Sequence, residues 1–315
     1  GPVGFENYKT TSPATGNCNS TGLNIGSYYA GISSASSTFI ADLSTLIGPH
    51  NFISYFNYKQ TVMNQFEVRD TTGGQSFVTC SYTGENKVFN DPFDWTTTGY
   101  SREHTFCHSW MPTFPCDNPE QDEYTDQHNL YPTNFANANA YRSNLPLNEI
   151  TGNVLFTYLE GSVGYNGSQM VYEPREAQKG NSARSIFYMA TAYNGQNNLN
   201  WAIPNYQDQE ILKTWHFSDL PDSYEIARQE YIYSVQDNRN PYIDSVNYAC
   251  HVSFSNMTYL DVNCNVGLEE QLQSNFSVFP VPSNGKVFAQ VNGLNITQYT
   301  VSDLMGRVVF KNDFV

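Results

Sequence analysis

Three short stretches decide the fold expected for this chain: YSREH at residues 100–104, DQHNL at residues 126–130 and NAYRSN at residues 139–144. They form the densest cluster of chemically versatile side chains in the sequence. Carboxylate, amide, imidazole and guanidinium groups all occur there, and these groups bind hard cations, transfer protons and contact anions. The cluster is therefore the predicted functional centre.

Within this cluster, Glu103 and Asn139 offer a carboxylate and an amide oxygen, the ligands that Mg²⁺ or Ca²⁺ prefers. The imidazole of His104 can take a proton from an attacking water near neutral pH. Asn139 and Arg142 are three positions apart on a predicted helix and would share one face, so Arg142 would reach a phosphate oxygen. Together these groups favour metal-assisted phosphodiester hydrolysis.

The triplet of residues 102–104 also has a simpler interpretation. Adjacent residues on a strand point to opposite faces, so a Glu-His pair is often a surface carboxylate beside a packed histidine. Taken alone, the triplet is a weak functional signal.

The composition sets limits on function. The chain has 315 residues and a formal charge of -15, with 39% hydrophobic and 15% aromatic residues. This apolar content predicts a folded protein with a sizeable core. No apolar run approaches the roughly 18 residues needed to span a membrane. The negative charge argues against nucleic-acid binding that is driven by a broad basic face.

The cysteines indicate an exported protein. None of the six has the paired C-x-x-C spacing of a zinc site, so disulfides are favoured. Spacing suggests Cys107 with Cys116 and Cys250 with Cys264, which leaves Cys18 with Cys80, although sequence does not fix connectivity. Gly1-Pro2 resembles a protease scar, and we expect a mature secreted chain whose signal peptide has been removed.

The periodicity of the main part predicts an α+β fold. Helical spacing of apolar residues occurs within residues 28–57, around Phe39 to Ile47, and alternation occurs in two strand-like stretches. The other segments are predicted as follows: strands at 77–82 and 95–108, a loop at 112–126, and helices at 134–144, 176–193, 207–215 and 222–237.

The C-terminal part has a different composition. Residues 268–275 resemble a linker, and residues 276–315 alternate like short strands separated by Asn-Gly turns. We therefore predict a main domain at 1–267, a linker at 268–275 and a small all-β module at 276–315.

Six blocks in the same order resemble the bacterial endonuclease I family, whose members have a ββα-metal (His-Me finger) site. REH at 102–104 resembles the family's REH signature. The other blocks are DxHNLxP at 126–132, NxxRSN at 139–144, YEPRxxxKGxxAR at 172–184, LKxWH at 212–216 and YSxQxNRNPxID at 233–244.

This resemblance implies a role for each residue of the site. His104 would be the general base, and Glu103 and Asn139 would be the ligands of Mg²⁺, with Ca²⁺ or Mn²⁺ as alternatives. Arg142 and Arg184 would act with them, either on a phosphate or by bracing the acidic ligands. The resemblance implies further supporting residues: Asp126 and His128 as outer partners that hold the ligands and base in place, and Arg102, Arg184 and His108 as phosphate-binding candidates.

The sequence departs from the family pattern around the loop between the first two blocks. Cys107 and His108 stand where the family commonly has V-W-P-K-S. In some members an arginine on this loop binds the scissile phosphate, but here no Lys or Arg lies between Arg102 and Arg142. That function is either absent or supplied by another residue, such as Arg142 or His108. Five acids occupy residues 117–126 instead, either as a solvated acidic loop or as a structural Ca²⁺ site.

The C-terminal module resembles the first half of a type IX secretion sorting domain, a partial β-sandwich. FSVFPVPSNG at 276–285 and VSDLMGRVV at 301–309 carry this resemblance. It implies an address read by the type IX secretion machinery and a secreted or cell-surface location.

The sequence therefore predicts a secreted, Mg²⁺-dependent endonuclease of low sequence specificity that acts on DNA, with RNA as a further substrate, and we expect a monomer. An extracellular ribonuclease of the same family is the nearest alternative. A non-catalytic surface binding module is the alternative from another class, supported by the net charge and by the missing loop arginine.

Overall fold

The computed structural model describes residues 25–115 and 121–264, together with four strands further along the chain. The chain divides into two compact units, Gly1–Asn265 and Val266–Val315. The first unit combines helices with small antiparallel sheets, which confirms the predicted α+β class. Among its described helices, none combines the length and apolarity needed to cross a bilayer.

The helices of the first unit range from single turns to one of seventeen residues. The α-helices are α1 (Ile25–Tyr28), α2 (Phe39–Ile47), α3 (Trp95–Thr98), α4 (Asp122–Thr125), α5 (Ala140–Arg142), α6 (Glu176–Ala192), α7 (Gln209–Ser218), α8 (Ser223–Gln236) and α9 (Pro241–Asp244). Four 3₁₀ segments are described, at Tyr55–Tyr58, His108–Trp110, Gln196–Asn198 and Val246–His251, and π-helical segments at Lys59–Glu67 and Phe135–Asn139.

The described strands of the first unit form small antiparallel sheets. One sheet contains β1 (Arg69–Asp70), β2 (Ser76–Thr79) and β3 (Asn86–Phe89), and another contains β6 (Val154–Tyr158), β7 (Gly161–Asn166) and β8 (Gln169–Glu173). Two further pairs are β4 (Tyr100–His104) with β5 (Leu130–Asn134) and β9 (Val252–Ser253) with β10 (Thr258–Tyr259).

Helix α6 lies at the centre of the core. All its residues from Gln178 to Ala192 are buried, and it packs against α2, α7 and α9. A helix that is covered all round needs partners for its polar side chains. The buried Arg184 finds them in Glu225, Asn181 and two backbone carbonyls. Helix α6 also holds the segment that leads into β5, since Ser185 donates a hydrogen bond to the carbonyl of His128 at 3.0 Å.

The β4–β5 pair leads directly into a helical segment. Glu103 lies opposite Tyr131 in the antiparallel register, and β5 ends at Asn134. The Asn134 side chain accepts a hydrogen bond from the backbone N–H of Asn137 at 2.9 Å, which caps the π-helical segment that starts at Phe135. The result is a compact strand–strand–helix unit around residues 100–142.

Most predicted elements are confirmed, and the exceptions have local causes. Residues 95–98 form helix α3 instead of a strand, because Asp94 accepts hydrogen bonds from the N–H groups of Thr96 and Thr97 and Gly99 ends the turn at φ 70°. Helix α4 interrupts the predicted loop at 112–126. The β6–β8 sheet and the π-helical segment of residues 59–67 were not predicted.

The predicted disulfide between Cys250 and Cys264 is confirmed. The other two predicted pairings are wrong in this structure, because Cys80 and Cys107 are free, buried thiols. The Cys107 sulfur instead accepts a hydrogen bond from Arg142 at 2.8 Å. The proposed partners of the two free thiols lie outside the described residues.

The second unit contains two antiparallel pairs, β11 (Phe276–Phe279) with β12 (Phe288–Val291) and β13 (Gln298–Ser302) with β14 (Val308–Asp313). The predicted linker at 268–275 lies outside the described residues. Assignment of this unit to a sorting domain stays a prediction.

Candidate active site

The candidate site lies at the end of β4, where the chain leaves the strand. Glu103 and His104 each keep only 8% of their surface exposed. As neighbours on a strand they take different surroundings. Glu103 contacts Asn139 on the helical segment that follows β5, whereas His104 contacts Tyr124 on the connection between the two strands.

The two predicted metal ligands are in direct contact. The amide nitrogen of Asn139 donates a short hydrogen bond to the Oε2 atom of Glu103. The two residues are 36 positions apart in the sequence, and the strand–strand–helix unit brings them together. A carboxylate and an amide at one point form an oxygen-donor pair suited to a hard cation.

The protein groups around Glu103 disfavour the ionised form of its carboxyl group. Burial raises the pKa of Glu103 to about 8, although the positive charge of Arg142 and the hydrogen bond from Asn139 oppose this effect. A bound cation would favour the ionised form, as opposite charges do at short range.

The imidazole of His104 is oriented by the backbone of the loop. Its Nε2 atom lies 2.6 Å from the carbonyl oxygen of Tyr124. Only an N–H can donate to that oxygen, so the neutral ring keeps its lone pair on Nδ1. Burial, together with the charges of His108 and Arg102, lowers the pKa of His104 to about 4, despite the opposing effect of the bond to Tyr124. At neutral pH the ring is therefore an uncharged proton acceptor.

Aromatic side chains enclose His104. The Tyr55 ring is parallel to it, with centroids 5.5 Å apart, and the Tyr124 ring lies at 4.6 Å. Arg102, two residues before His104 and on the same strand face, places its guanidinium 3.7 Å from the centroid of Tyr55. Burial raises the pKa of Tyr55, and the charge of Glu103 adds to this effect, so the tyrosine lies close to both predicted catalytic groups.

Arg142 is completely buried. Its guanidinium donates hydrogen bonds to the Cys107 sulfur at 2.8 Å and to the carbonyl oxygen of Thr105 at 3.2 Å, and it lies 5.0 Å from the ring centroid of Trp110. Such a group does not face an approaching phosphate. The position of Arg142 instead favours bracing, in which its charge acts on the neighbouring Glu103.

Of the two roles predicted for Arg184, phosphate contact and bracing, its contacts favour bracing. The side chain has no exposed surface and forms an ion pair with Glu225 at 2.6 Å in the core. Its remaining donors bond Asn181 and the carbonyl oxygens of His216 and Asp219. Sequence alone could not separate a buried arginine in a motif from an exposed one.

Asp126 lies in the core and holds the segment that orients His104. Its carboxylate accepts hydrogen bonds from Tyr188 at 2.7 Å, Tyr193 at 2.8 Å and Gln236 at 2.9 Å, and from the backbone N–H of His128. Burial would raise the pKa of Asp126, but nearby histidines and these hydrogen bonds outweigh it and hold the pKa below its usual value. Tyr124, whose carbonyl orients His104, is two residues away.

His128 is buried beside Tyr188, with ring centroids 4.7 Å apart. Its Nε2 atom lies 3.2 Å from the carbonyl oxygen of Asn238. Burial lowers the pKa of His128 to about 4, so it is neutral and packed. These contacts suit a structural partner, as predicted for Asp126 and His128, and neither residue touches Glu103 or Asn139 through a described hydrogen bond.

The acidic loop is only partly described. Asp117 and Glu120 lie outside the described residues, and Asp122 and Glu123 sit in the first turn of α4. Within the described ranges, no group of three or more His, Cys, Asp or Glu residues is arranged to hold a metal ion. The proposed Ca²⁺ site of this loop stays a prediction.

The sequence did not single out Tyr55, Phe56, Trp95, Tyr124 or Phe114, which surround the site. The only available signal was the aromatic run FISYFNY at residues 52–58. Their positions depend on contacts between distant segments, such as that between Tyr55 and His104.

A buried carboxylate and amide in contact, next in the chain to an oriented neutral imidazole, are the kinds of group that metal-assisted phosphodiester hydrolysis requires. The comparison with known families agrees. Residues 36–247 match the family model of Endonuclease I, so the chain belongs to the endonuclease I family, a family of nucleases.

Two curated relatives are extracellular ribonucleases. The one from Bacillus subtilis (strain 168) is 28% identical over 222 residues, which cover 66% of this chain and 71% of the relative. The one from Bacillus amyloliquefaciens is 33% identical over 136 residues, which cover 40% of this chain and 45% of the relative. Both names agree with the expectation of a secreted protein.

Proposed function

We propose that the chain is a secreted, Mg²⁺-dependent endonuclease that hydrolyses phosphodiester bonds in RNA and DNA with low sequence specificity, using a ββα-metal (His-Me finger) core. The observation that carries this proposal is the contact between Glu103 and Asn139, together with the oriented imidazole of His104, which follows Glu103 in the chain. The names of the two relatives favour RNA as the main substrate and support secretion.

The residues of the site fit a hard cation. Glu103 and Asn139 would hold it through oxygen atoms, with the Asn139 amide turned so that its oxygen replaces its nitrogen. Mg²⁺ usually keeps several waters and takes one or two carboxylates together with substrate phosphate oxygens, so a single buried carboxylate suffices. When bound, the cation supplies positive charge that stabilises the leaving oxygen. Ca²⁺ and Mn²⁺ accept the same ligands.

His104 acts as the general base in this proposal. Because its Nε2–H is engaged by the Tyr124 carbonyl, Nδ1 is the atom that removes a proton from the attacking water. The low pKa keeps this atom unprotonated at neutral pH. Tyr55 holds the ring plane by stacking against it.

The cationic side chains divide between two roles. Arg142 is buried and lowers the pKa of Glu103, so it favours the ionised ligand. Arg102 and His108 are half-buried and close to His104, which makes them the candidates for contact with the substrate phosphate. Arg102 in particular takes over the role of the arginine that the loop lacks.

A cleavage assay tests the proposal. Total RNA and plasmid DNA are incubated with the protein in Mg²⁺, with and without EDTA, and with His104→Ala. Loss of general base catalysis is expected to lower the rate by about 10²- to 10⁴-fold. His251→Ala is the matched control, because that histidine contacts Leu260 and Phe39 away from the site, and its rate should equal that of the wild type.

The outcomes separate the parts of the proposal. Absence of cleavage of both substrates by the wild type would contradict the nuclease function. Cleavage that persists in EDTA would contradict the metal assignment alone, and equal rates for wild type and His104→Ala would contradict the role of the histidine. Thermal unfolding of each variant checks that the fold is kept.

A further inference from the structure

A cluster of aromatic rings surrounds His104 in the candidate site. Phe56 contacts Tyr55, with centroids 6.2 Å apart, and Tyr55 stacks on His104 at 5.5 Å. His104 also lies 6.3 Å from His108, whose ring contacts Phe114 at 5.1 Å. The Tyr124 ring contacts those of Tyr55, His104 and His108 at 4.9, 4.6 and 4.8 Å, so the six rings form a cluster in which each phenylalanine is two contacts away from His104.

The two phenylalanine rings are exposed, unlike that of His104. Phe56 is 65% exposed and Phe114 is 52% exposed, whereas His104 is 8% exposed. Single exposed apolar residues are common and need no explanation. These two differ because each contacts a ring that in turn contacts the proposed general base.

A cation accompanies one of the exposed rings. The guanidinium of Arg102 lies 3.7 Å from the centroid of Tyr55, 5.1 Å from that of Trp95 and 5.9 Å from that of Phe56. These three rings hold the positive charge near Phe56 and against Tyr55, the ring that stacks on His104. A nucleotide offers the complementary pair of groups, an apolar base face and a phosphate.

The net charge of -15 makes an uncharged source of affinity important. A broad basic face supplies most of the binding energy in many nucleic-acid complexes, and here the formal charge opposes it. Stacking of bases on aromatic side chains does not depend on net charge, and it accepts any base, because every base has a π face.

We propose that Phe56 and Phe114 are stacking platforms for unpaired bases on either side of the scissile phosphate, and that they direct this nuclease to single-stranded nucleic acid. This inference rests on the proposed function, since it takes His104 as the reacting centre. In a duplex the base faces are covered by neighbouring base pairs, whereas in a single strand they can turn out and stack on protein rings. Arg102 contacts the phosphate beside the base that stacks on Phe56.

The expected size of the effect follows from stacking energies. Removal of one stacking ring typically weakens binding by about 5- to 150-fold per base. Phe56→Ala and Phe114→Ala should each weaken binding of a single strand by a factor in this range. Phe56→Trp keeps a ring and should restore most of the affinity.

Binding and cleavage are measured separately, so that the two proposals can fail separately. Binding of a fluorescent 12-nucleotide single-stranded RNA, and of the same sequence in a fully paired duplex, is followed by anisotropy in Mg²⁺ with the His104→Ala protein. Phe56→Ala and Phe114→Ala are then added to this background. Leu220→Ala is the control, because Leu220 is 47% exposed on the connection between α7 and α8.

Support would be a 5- to 150-fold loss of single-strand affinity in each phenylalanine variant, little change for the duplex, and an unchanged control. Unchanged single-strand affinity would overturn the inference, as would an equal loss for both substrates, since the rings would then contact something other than unpaired bases. Failure of the wild type to cleave any nucleic acid would contradict the proposed function, and with it the inference, whereas cleavage with an unchanged affinity in the variants would contradict the inference alone.

Discussion

Replacement of Asp126 by asparagine tests whether a buried carboxylate holds the loop that orients the proposed general base. Asp126 is fully buried, and its two oxygens accept four hydrogen bonds. Asparagine has the same shape but only one acceptor oxygen. The substitution therefore changes charge and hydrogen bonding while it leaves packing nearly intact.

The magnitude follows from the partners of each oxygen. The asparagine oxygen can keep the bonds from the His128 N–H and Gln236, which both reach Oδ1. Its NH₂ group would then face the hydroxyls of Tyr188 and Tyr193, which donate to Oδ2 at 2.7 and 2.8 Å. Hydrogen bonds to a charged group contribute about 1.5–3 kcal/mol each. We expect the free energy of unfolding to fall by about 3–5 kcal/mol.

Urea unfolding followed by tryptophan fluorescence measures this change. All four tryptophans lie in the first unit, at positions 95, 110, 201 and 215, so the signal reports on the unit that contains Asp126. The midpoint should fall while the slope m stays the same. The cleavage rate per folded molecule should also fall, because the Tyr124 carbonyl is two residues from the substitution.

The pH dependence gives an independent check. The pKa of Asp126 in the fold is below its usual value, so its contribution to stability is present above the unfolded pKa and is lost as pH falls through the folded pKa. The difference between wild type and Asp126→Asn should therefore be largest near neutral pH and shrink below a pH of about 4.

Asp208→Asn is the matched control. Asp208 is exposed and caps α7 by accepting a hydrogen bond from the N–H of Glu210 at 2.8 Å. Asparagine caps helices as well as aspartate does, so stability should be unchanged. A loss of less than about 1 kcal/mol in Asp126→Asn would refute the reasoning, since one conventional hydrogen bond would account for it.

Two further predictions concern buried groups away from the site. Arg184→Met should lower the free energy of unfolding by about 3–5 kcal/mol, because it leaves Glu225 buried without its cation. The kcat/KM per folded molecule should not change. A raised KM would instead indicate that Arg184 contacts a substrate phosphate. Burial lowers the pKa of His216 to about 3. Below pH 6.5 the unfolded chain therefore takes up a proton that the folded chain does not. As the pH falls, this group lowers the free energy of unfolding by about 1.4 kcal/mol per pH unit. When the free energy of urea unfolding is measured between pH 6 and 4, His216→Gln should show a slope against pH that is smaller by this amount. An unchanged slope would show that other groups control it.

The chemical content of the site could be predicted from the sequence because it is encoded locally. Glu103 and His104 are adjacent, and Asn139 begins the NAYRSN block. Helix α6 was also predictable within one residue, since its length and composition make a strong helical signal. The short elements were harder, as α3 shows, because one capping aspartate decides between helix and strand.

The burial of the motif arginines could not be predicted from the sequence in the same way. Arg142 and Arg184 both stand in motif blocks, and either could have been exposed. Their burial depends on partners elsewhere in the chain, such as Glu225, which is 41 residues from Arg184. The surroundings of the free thiols of Cys80 and Cys107 also depend on distant segments, since the Asn134 N–H and Arg142 donate hydrogen bonds to their sulfur atoms.

The sequence by itself determined the family, the α+β class and the identities of the proposed base and metal ligands, because these depend on residue types at short, ordered spacings. Only the tertiary structure decided which nitrogen of His104 is free, since that depends on a carbonyl 20 residues away. It also decided that Phe56 and Phe114 each contact a ring next to His104. Contacts between distant segments set burial and orientation, and no local pattern encodes them.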